Sequence, residues 1–201
     1  KFIIMEKSIQ NWMLASSLVL LLSSCEKILD QKPQSSLDAT TAYNTRQGVE
    51  AGLLGCYNAL QSTSYYGLEY WALSDMYAGV ITHTGTFPTY AQVNNRILLP
   101  DNTNTTNIWN QIYNGINRCN NILASIDALN DPAYSKTQGA AEARFLRALM
   151  YFDLARLYGG SPAGYNLPGG RGLPLRLTAT LSPKDAAPLA LTAETEIWKQ
   201  I

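Results

Sequence analysis

Two amphipathic segments, separated by a short Asn-Asp-Pro link at 130–132, limit the fold more strongly than any other part of the sequence. In the first segment, apolar residues recur three or four positions apart, which predicts an α-helix with one buried face. These residues are Trp109, Ile112, Ile116, Cys119, Leu123 and Ile126. The link ends this helix, because proline lacks a backbone N–H and disfavours the helical conformation in the residue before it.

The second segment predicts a helix that runs antiparallel to the first, since so short a link makes them neighbours. Ser135, with Gln138 three residues later, forms a capping box at its start, and Gly159-Gly160 ends it. Its predicted buried stripe is Ala141, Phe145, Ala148, Phe152 and Ala155, and we expect Phe145, Leu149 and Phe152 to fill the core. The arginines Arg144, Arg147 and Arg156 are expected to extend over the core and to pair with Glu142 or Asp153 at the surface.

The rest of the chain also reads as helices and loops, without an alternating strand pattern. A helix is predicted after Asp38 or Thr40, with Val49, Leu53, Tyr57 and Leu60 on its buried face. A second is predicted over 65–77, a loop over 82–100, and a Gly- and Pro-rich stretch up to Pro188. A last helix begins near Thr192. The predicted fold class is therefore all-α, with tetratricopeptide-like helical hairpins and long loops.

The N-terminus predicts export and lipidation. Lys7 precedes an apolar run over 12–22, which is too short to span a bilayer and is typical of a secretory signal peptide. Leu22-Ser23-Ser24-Cys25 looks like a bacterial lipobox, in which the cysteine is acylated and becomes the mature N-terminus. We expect a signal peptide at 1–24, a lipidated tether at 25–37 and a helical domain at 38–201 that is incomplete at its C-terminus.

Composition and motifs exclude several functions. The 15 Lys and Arg balance 15 Asp and Glu, so no basic field would attract nucleic acid. The single histidine, His83, has no second metal ligand at helical spacing, and no catalytic or phosphate-binding motif is present. Glu69 and Asp75 would point to different helix faces, which argues against a glycosidase pair. The sequence thus predicts a non-enzymatic protein without a cofactor or metal.

Cys56 and Cys119 both lie on predicted apolar stripes. Two interpretations are compatible with the sequence: they are buried free thiols, or they form a disulfide, which export would permit.

A ligand site is best sought between Tyr65 and Asn95, where aromatic and amide side chains are concentrated. A saccharide presents an apolar C–H face and a ring of hydroxyls, which suit an exposed aromatic ring flanked by amides. The candidate ligand-binding residues are Tyr65, Tyr66, Trp71, Tyr90, Asn94 and Asn95. The alternative is that the aromatic residues over 65–77 pack between helices.

Residues 141–160, AEARFLRALMYFDLARLYGG, resemble the signature helix of the SusD/RagB family. Three further features agree in order. Residues 25–33 resemble the family's mature start, and 109–123 resemble the helix before the signature. Leu173-Pro174-Leu175 followed by a helix at Thr192 resembles the return after its Gly-rich loop. The resemblance covers essentially the whole mature chain.

The resemblance implies an outward-facing lipoprotein of the Bacteroidetes outer membrane. Such a protein caps a TonB-dependent transporter of the SusC type and delivers glycans, or in some members peptides, to it. It also implies that this chain is the truncated N-terminal region of a longer protein. Two other interpretations remain open: a helical-repeat scaffold of an outer-membrane complex that binds no nutrient, and a lipid-anchored glycosidase whose catalytic part lies elsewhere.

Overall fold

The computed structural model describes residues 42–160 and 172–201, all of which lie in one compact unit, Ala39–Ile201. Six α-helices lie wholly within these residues: α1 Arg46–Leu60, α2 Glu69–Ala78, α3 Pro88–Asn94, α4 Thr103–Ser125, α5 Lys136–Tyr158 and α6 Glu194–Gln200. A 3₁₀ turn, Ile126–Ala128, follows α4. The described residues form no β-strand, so the predicted all-α class is confirmed. None of their helices is long and apolar enough to cross a membrane.

Helices α4 and α5 form the predicted antiparallel hairpin. The Tyr158 hydroxyl, at the end of α5, donates to the Thr105 carbonyl at the start of α4 over 2.6 Å. Nearer the link, Arg147 Nη1 donates to Asn120 Oδ1 over 2.8 Å. The Ser135 hydroxyl accepts the Gln138 N–H, which confirms the predicted N-cap. We call the part of the hairpin beside the 126–135 link the turn end, and the part beside Thr105 and Tyr158 the open end.

The turn end is an apolar core in which α1 packs against both helices of the hairpin. It contains Val49, Leu53, Cys56, Cys119, Ile122, Ile126, Ala143 and Leu146, all buried. Further along, α1, α4 and α5 approach closely at Gly115. A Cβ atom there would lie 2.6 Å from Met150 Sδ and 3.2 Å from Ala59 Cβ. Glycine therefore permits a helix separation that a larger residue would prevent.

The predicted buried faces of α1 and α5 are partly wrong. Ala155 is buried as predicted, but Ala141 and Phe145 are exposed, and Leu149 and Phe152 are only half-buried. The buried apolar side chains of α5 are those of Ala140, Ala143, Leu146, Met150, Tyr151, Leu154 and Ala155. On α1, Tyr57 is exposed, whereas Cys56 and Ala59 are buried. The predicted and the observed buried residues of α5 both recur at helical spacing, because apolar side chains lie on most sides of this helix. Periodicity alone therefore could not identify the buried face.

The boundaries of α1 to α3 also differ from the prediction. Asp38 and Thr40 lie outside the described residues, and the cap of α1 is Thr45, whose hydroxyl accepts the Gly48 N–H over 3.1 Å. Helix α2 begins at Glu69 and ends at Ala78, and it is capped by Gly79, whose φ of 80° suits glycine. The predicted loop at 82–100 contains α3, which begins at Pro88 because proline is tolerated at the first helical position.

Residues 172–193, which we call the return segment, are held against the hairpin by side chains. Asn120 Nδ2 donates to the carbonyls of Arg176 and Thr178 over 3.0 and 3.1 Å. The Tyr151 hydroxyl donates to the Arg176 carbonyl and accepts the Arg176 N–H. The segment then leads into α6, two residues after the predicted start at Thr192.

Cys56 and Cys119 face each other across the α1–α4 interface as buried free thiols, the first of the two interpretations. Their thiols are hydrogen-bonded, and this bond together with burial raises the pKa of Cys119. The predicted signal peptide, lipidated Cys25 and tether all lie outside the described residues.

Candidate functional site: an exposed tryptophan above a tyrosine–aspartate cluster

The site is centred on Asp153, a buried residue of α5 with only 2 % of its surface exposed. Its Oδ2 accepts hydrogen bonds from the hydroxyls of Tyr65 and Tyr66, the latter over 2.5 Å. Its Oδ1 accepts one from Tyr70 over 2.7 Å. The predicted surface pair of Asp153 with Arg156 is therefore wrong. A buried carboxyl group needs hydrogen-bond donors, and three tyrosines supply them here.

The three tyrosines remain hydrogen-bond donors over the physiological pH range. Burial, and then the hydrogen bond to Asp153, hold the pKa values of Tyr66 and Tyr70 well above the usual tyrosine value. Burial and the charge of Asp153 raise the pKa of Tyr65 further. Each of the three hydroxyls therefore keeps its proton and its hydrogen bond to Asp153.

The cluster fixes the ring of Trp71 at the surface. Trp71 is 52 % exposed and stacks on Tyr66, with ring centroids 5.2 Å apart and planes 28° from parallel. Tyr70 meets the same indole edge-on, with centroids 4.9 Å apart and an angle of 85°. Each such aromatic pair contributes about 0.5–1.5 kcal/mol beyond burial. Trp71 is thus an ordered, accessible ring whose supports are themselves anchored to Asp153.

A second polar group holds α3 beside α2. Glu69, also buried, accepts from the Tyr90 hydroxyl over 2.7 Å and from Asn104 Nδ2 over 3.0 Å. The hydrogen bond to Glu69 raises the pKa of Tyr90. Asn94 Oδ1 accepts the His83 N–H, and its Nδ2 donates to Asn95 Oδ1 over 3.1 Å. Asn95 is exposed, whereas Tyr90 and Asn94 are half-buried.

The described contacts therefore place the six predicted ligand residues in two groups. Tyr65, Tyr66 and Trp71 belong to the Asp153 cluster, and Tyr90, Asn94 and Asn95 belong to the Glu69 side. Tyr65 is fully buried and presents no surface to solvent. Packing and surface presentation thus coexist: Tyr65 supports the cluster, and Trp71 is its accessible ring. A ligand role for any of the six remains a prediction.

Sequence reasoning missed Asp153 and Glu69 as acceptors. One signal was available, because Asp153 is flanked by Tyr151, Phe152, Leu154 and Ala155 in a helix, and an acid in such surroundings needs buried donors. Glu69 is buried and Asp75 exposed, so they share no surroundings. Among the described residues, no group of three His, Cys, Asp or Glu side chains could hold a metal ion.

The fold and the aromatic surface define the class: an all-α protein of packed helical hairpins that presents an ordered aromatic ring. The sequence profile of the SusD-like family, described as starch-binding and associating with the outer membrane, matches residues 27–190. The chain belongs to the SusD-like family, which confirms the resemblance seen in its signature helix.

Individual relatives agree with this assignment. The chain is 31 % identical to SusD-like protein P38 of Formosa agariphila, over 70 % of this chain and 27 % of that protein. It is 28 % identical to SusD-like protein P2 of the same organism, over 72 % of this chain and 29 % of that protein. The chain thus spans less than a third of the length of these curated relatives.

Solved structures share the fold. A SusD superfamily protein from Bacteroides thetaiotaomicron superposes with a TM-score of 0.65 at 20 % identity, over 78 % of this chain and 35 % of that one. A laminarin-binding SusD-like protein superposes with a TM-score of 0.57 at 18 % identity, over 79 % of this chain and 32 % of that one. At these identities the likeness establishes the arrangement of helices.

Proposed function

We propose that this protein is a cell-surface glycan-binding lipoprotein in which Trp71 stacks against a saccharide ring. The main support is the Asp153 cluster, which holds a half-exposed indole through two aromatic contacts and three hydrogen bonds to one buried carboxyl group. A sugar ring has an apolar face that packs on such a surface. Because the ring is already ordered, binding loses little further side-chain entropy.

The family supports glycan as the ligand class. Its description refers to starch binding, and one structural relative is described as laminarin-binding. Asn95 is exposed on the neighbouring α3 side and offers amide donors and an acceptor to sugar hydroxyls. A peptide ligand is the alternative within the same family, and the experiment below separates the two.

The test is retention of the full-length, lipid-free protein in native gels that contain soluble starch or laminarin. We expect Trp71→Ala to weaken binding about tenfold, since loss of a stacked ring removes roughly 1.4 kcal/mol. The matched control is Phe145→Ala, which removes an even more exposed ring on α5 and should leave binding unchanged.

Tyr90→Ala locates the saccharide more finely. Loss of binding in this variant, with Trp71→Ala unaffected, would place the sugar over α3 rather than over the indole. Equal binding by both variants and the wild type would refute the role of this surface. If neither polysaccharide retards the wild type, while a peptide library does, the glycan assignment is wrong and the peptide alternative replaces it.

We further propose that lipidation of Cys25 anchors the protein to the outer membrane, facing outward, and that it delivers its ligand to a TonB-dependent transporter of the SusC type. Several acyl chains hold a protein at a membrane, whereas one chain binds only reversibly. Cys25→Ala should move the full-length protein from the membrane fraction to the soluble fraction. The tagged wild-type protein, purified from detergent-solubilised outer membranes, should bring the transporter with it. Recovery of glycan-binding protein without any transporter would contradict the delivery step.

A further inference from the structure

A second groove lies between α4 and the return segment, on a part of the surface that the Trp71 site does not use. Its volume is about 540 Å³, within the range of about 300–1,000 Å³ typical of small-molecule sites. Trp109, Asn110, Tyr113 and Asn114 line it from α4, and Arg176 and Pro188 line it from the return segment. Trp71, on α2, is not among its lining residues.

The groove has an ordered aromatic wall. The rings of Trp109 and Tyr113 have centroids 4.9 Å apart and are tilted by 50°. Trp109 also meets Tyr158 edge-on at 5.1 Å, and the Tyr113 hydroxyl donates to the Pro174 carbonyl over 2.8 Å. Both rings are half-buried, so each is fixed on one side and open to the groove on the other.

Two amides beside this wall are free to bind a ligand. Asn110 and Asn114 are exposed and their side chains have no hydrogen bond among the described residues, whereas the Asn117 side chain accepts the Thr180 N–H over 2.8 Å. They are four positions apart, so they lie on one helix face about 6 Å apart along the axis. Each amide supplies two donors and one acceptor, which is the complement of a chain of neighbouring hydroxyls.

The groove is lined by one charged residue, Arg176, and by no carboxylate. Its guanidinium donates to the carbonyls of Asp185 and Ala187, which uses two of its five N–H donors and orders the opposite wall. Two aromatic rings and two free amides make up most of the remaining polar and aromatic lining. This combination matches a polyhydroxylated molecule, to whose hydroxyl oxygens the remaining guanidinium donors can also donate.

We propose that this groove is a second saccharide-binding site, which rests on the proposed glycan-binding function. Two sites on one chain would engage a long polysaccharide together, which raises the overall affinity without tighter binding at either site. The amides of Asn110 and Asn114 bind the hydroxyls, and the rings of Trp109 and Tyr113 pack against the apolar face.

The experiment uses the full-length, lipid-free protein with laminarin and soluble starch as probes. The double variant Asn110→Ala, Asn114→Ala should weaken binding about tenfold, since each lost hydrogen bond removes about 0.5–1.5 kcal/mol. Asn107→Ala, which removes an exposed asparagine of α4 outside the groove, should leave the affinity unchanged. Adding Trp71→Ala to the double variant should abolish the binding that either change alone leaves.

The outcomes separate this proposal from the proposed function. If Trp71→Ala weakens binding but the double variant binds like the wild type, the groove is not a site and the glycan-binding function stands. If neither polysaccharide retards the wild-type protein in the gel, both proposals fail. The variant Asn110→Leu, Asn114→Leu keeps the side-chain shape and removes both the donors and the acceptors of the amides. If it binds like the wild type, the loss in the alanine variant is structural and the second site is refuted.

Discussion

The two ends of the α4–α5 hairpin are stabilised by different interactions. At the turn end, α1 packs on the hairpin through apolar side chains such as Leu53, Ile122 and Leu146. At the open end, α2 and its preceding turn are joined to α5 by three hydroxyls on the buried Asp153. Apolar packing is non-directional and tolerates side chains of similar volume. A buried polar cluster requires every partner and fixes the orientation of each ring.

This difference matches what each end presents at the surface. At the turn end, apolar side chains fill the space between three helices, and this packing depends mainly on side-chain volume. The open end has to hold the exposed ring of Trp71 in one orientation, and hydrogen bonds to Asp153 achieve this through Tyr66 and Tyr70. A substitution at the open end should therefore change both the stability of the fold and the order of the Trp71 ring, whereas a substitution at the turn end should change the stability alone.

The largest expected effect is that of Asp153→Ala. It leaves the buried hydroxyls of Tyr65 and Tyr70 and the half-buried hydroxyl of Tyr66 without their acceptor, so we expect a loss of about 3–5 kcal/mol in the free energy of unfolding. It should also release Trp71 and weaken glycan binding. Urea unfolding of the full-length protein, followed by near-UV circular dichroism, measures both stability and ring order. A loss below about 1 kcal/mol would show that the tyrosines find other partners and that the polar cluster is not the main interaction at the open end.

The matching change at the turn end is Leu146→Ala, for which we expect a loss of about 3 kcal/mol from transfer and cavity effects. Leu146 is buried and lies two helical turns before Asp153. Unlike Asp153→Ala, it should leave polysaccharide binding unchanged under conditions in which the protein remains folded. Retention in the starch or laminarin gel, beside the unfolding curve, tests this. Weaker binding by folded Leu146→Ala would mean that the two ends are not separate.

The hairpin could be predicted from sequence because its signals are local. Caps at Ser135 and Gly159, and apolar residues three or four apart, lie within the segments that they define. The buried face of α5 could not be predicted, since Phe145 and Leu146 both fit a helical period and the positions of α1 and α4 decide between them. The buried face is therefore set by tertiary packing and not by the helical period of the sequence.

The candidate site shows the same limit over longer distances. Tyr65, Tyr66 and Tyr70 are 83 to 88 positions from Asp153 in sequence, so no local spacing could predict their contact. Residue types directed attention to the aromatic region, but they could not separate the buried Tyr65 from the exposed Trp71. Exposure depends on which groups the rest of the fold brings against each ring.

A smaller effect tests whether the open end depends on directional hydrogen bonds and the turn end on side-chain volume. Tyr70→Phe keeps the ring and removes one hydroxyl from Asp153, and we expect a loss of about 1.5–3 kcal/mol because the acceptor is a carboxyl group. The control, Leu146→Met, changes shape at similar volume in the apolar core and should cost less than about 1.5 kcal/mol. Urea unfolding of the two variants measures the difference directly. If Leu146→Met proves the costlier change, the contrast between the two ends is wrong.

The smallest effect is on the pH dependence of stability. Burial and the bond to Asp153 raise the pKa of Tyr70 in the folded state, whereas an unfolded tyrosine titrates near pH 10. Below about pH 10 both states are protonated, and the contribution of Tyr70 is fully present.

Above that pH the unfolded chain loses the proton first, so the free energy of unfolding falls by up to about 1.4 kcal/mol per pH unit for this residue. Because the unfolded tyrosine is only half ionised at about pH 10, the average slope between about pH 10 and 11 should be shallower by about 1 kcal/mol per pH unit in Tyr70→Phe than in the wild type. Unfolding curves at several alkaline pH values, with tyrosinate absorbance as a second probe, measure this slope. Equal slopes would mean that Tyr70 loses its proton as readily in the folded protein as in the unfolded chain, and its hydrogen bond to Asp153 would then not contribute to the open end.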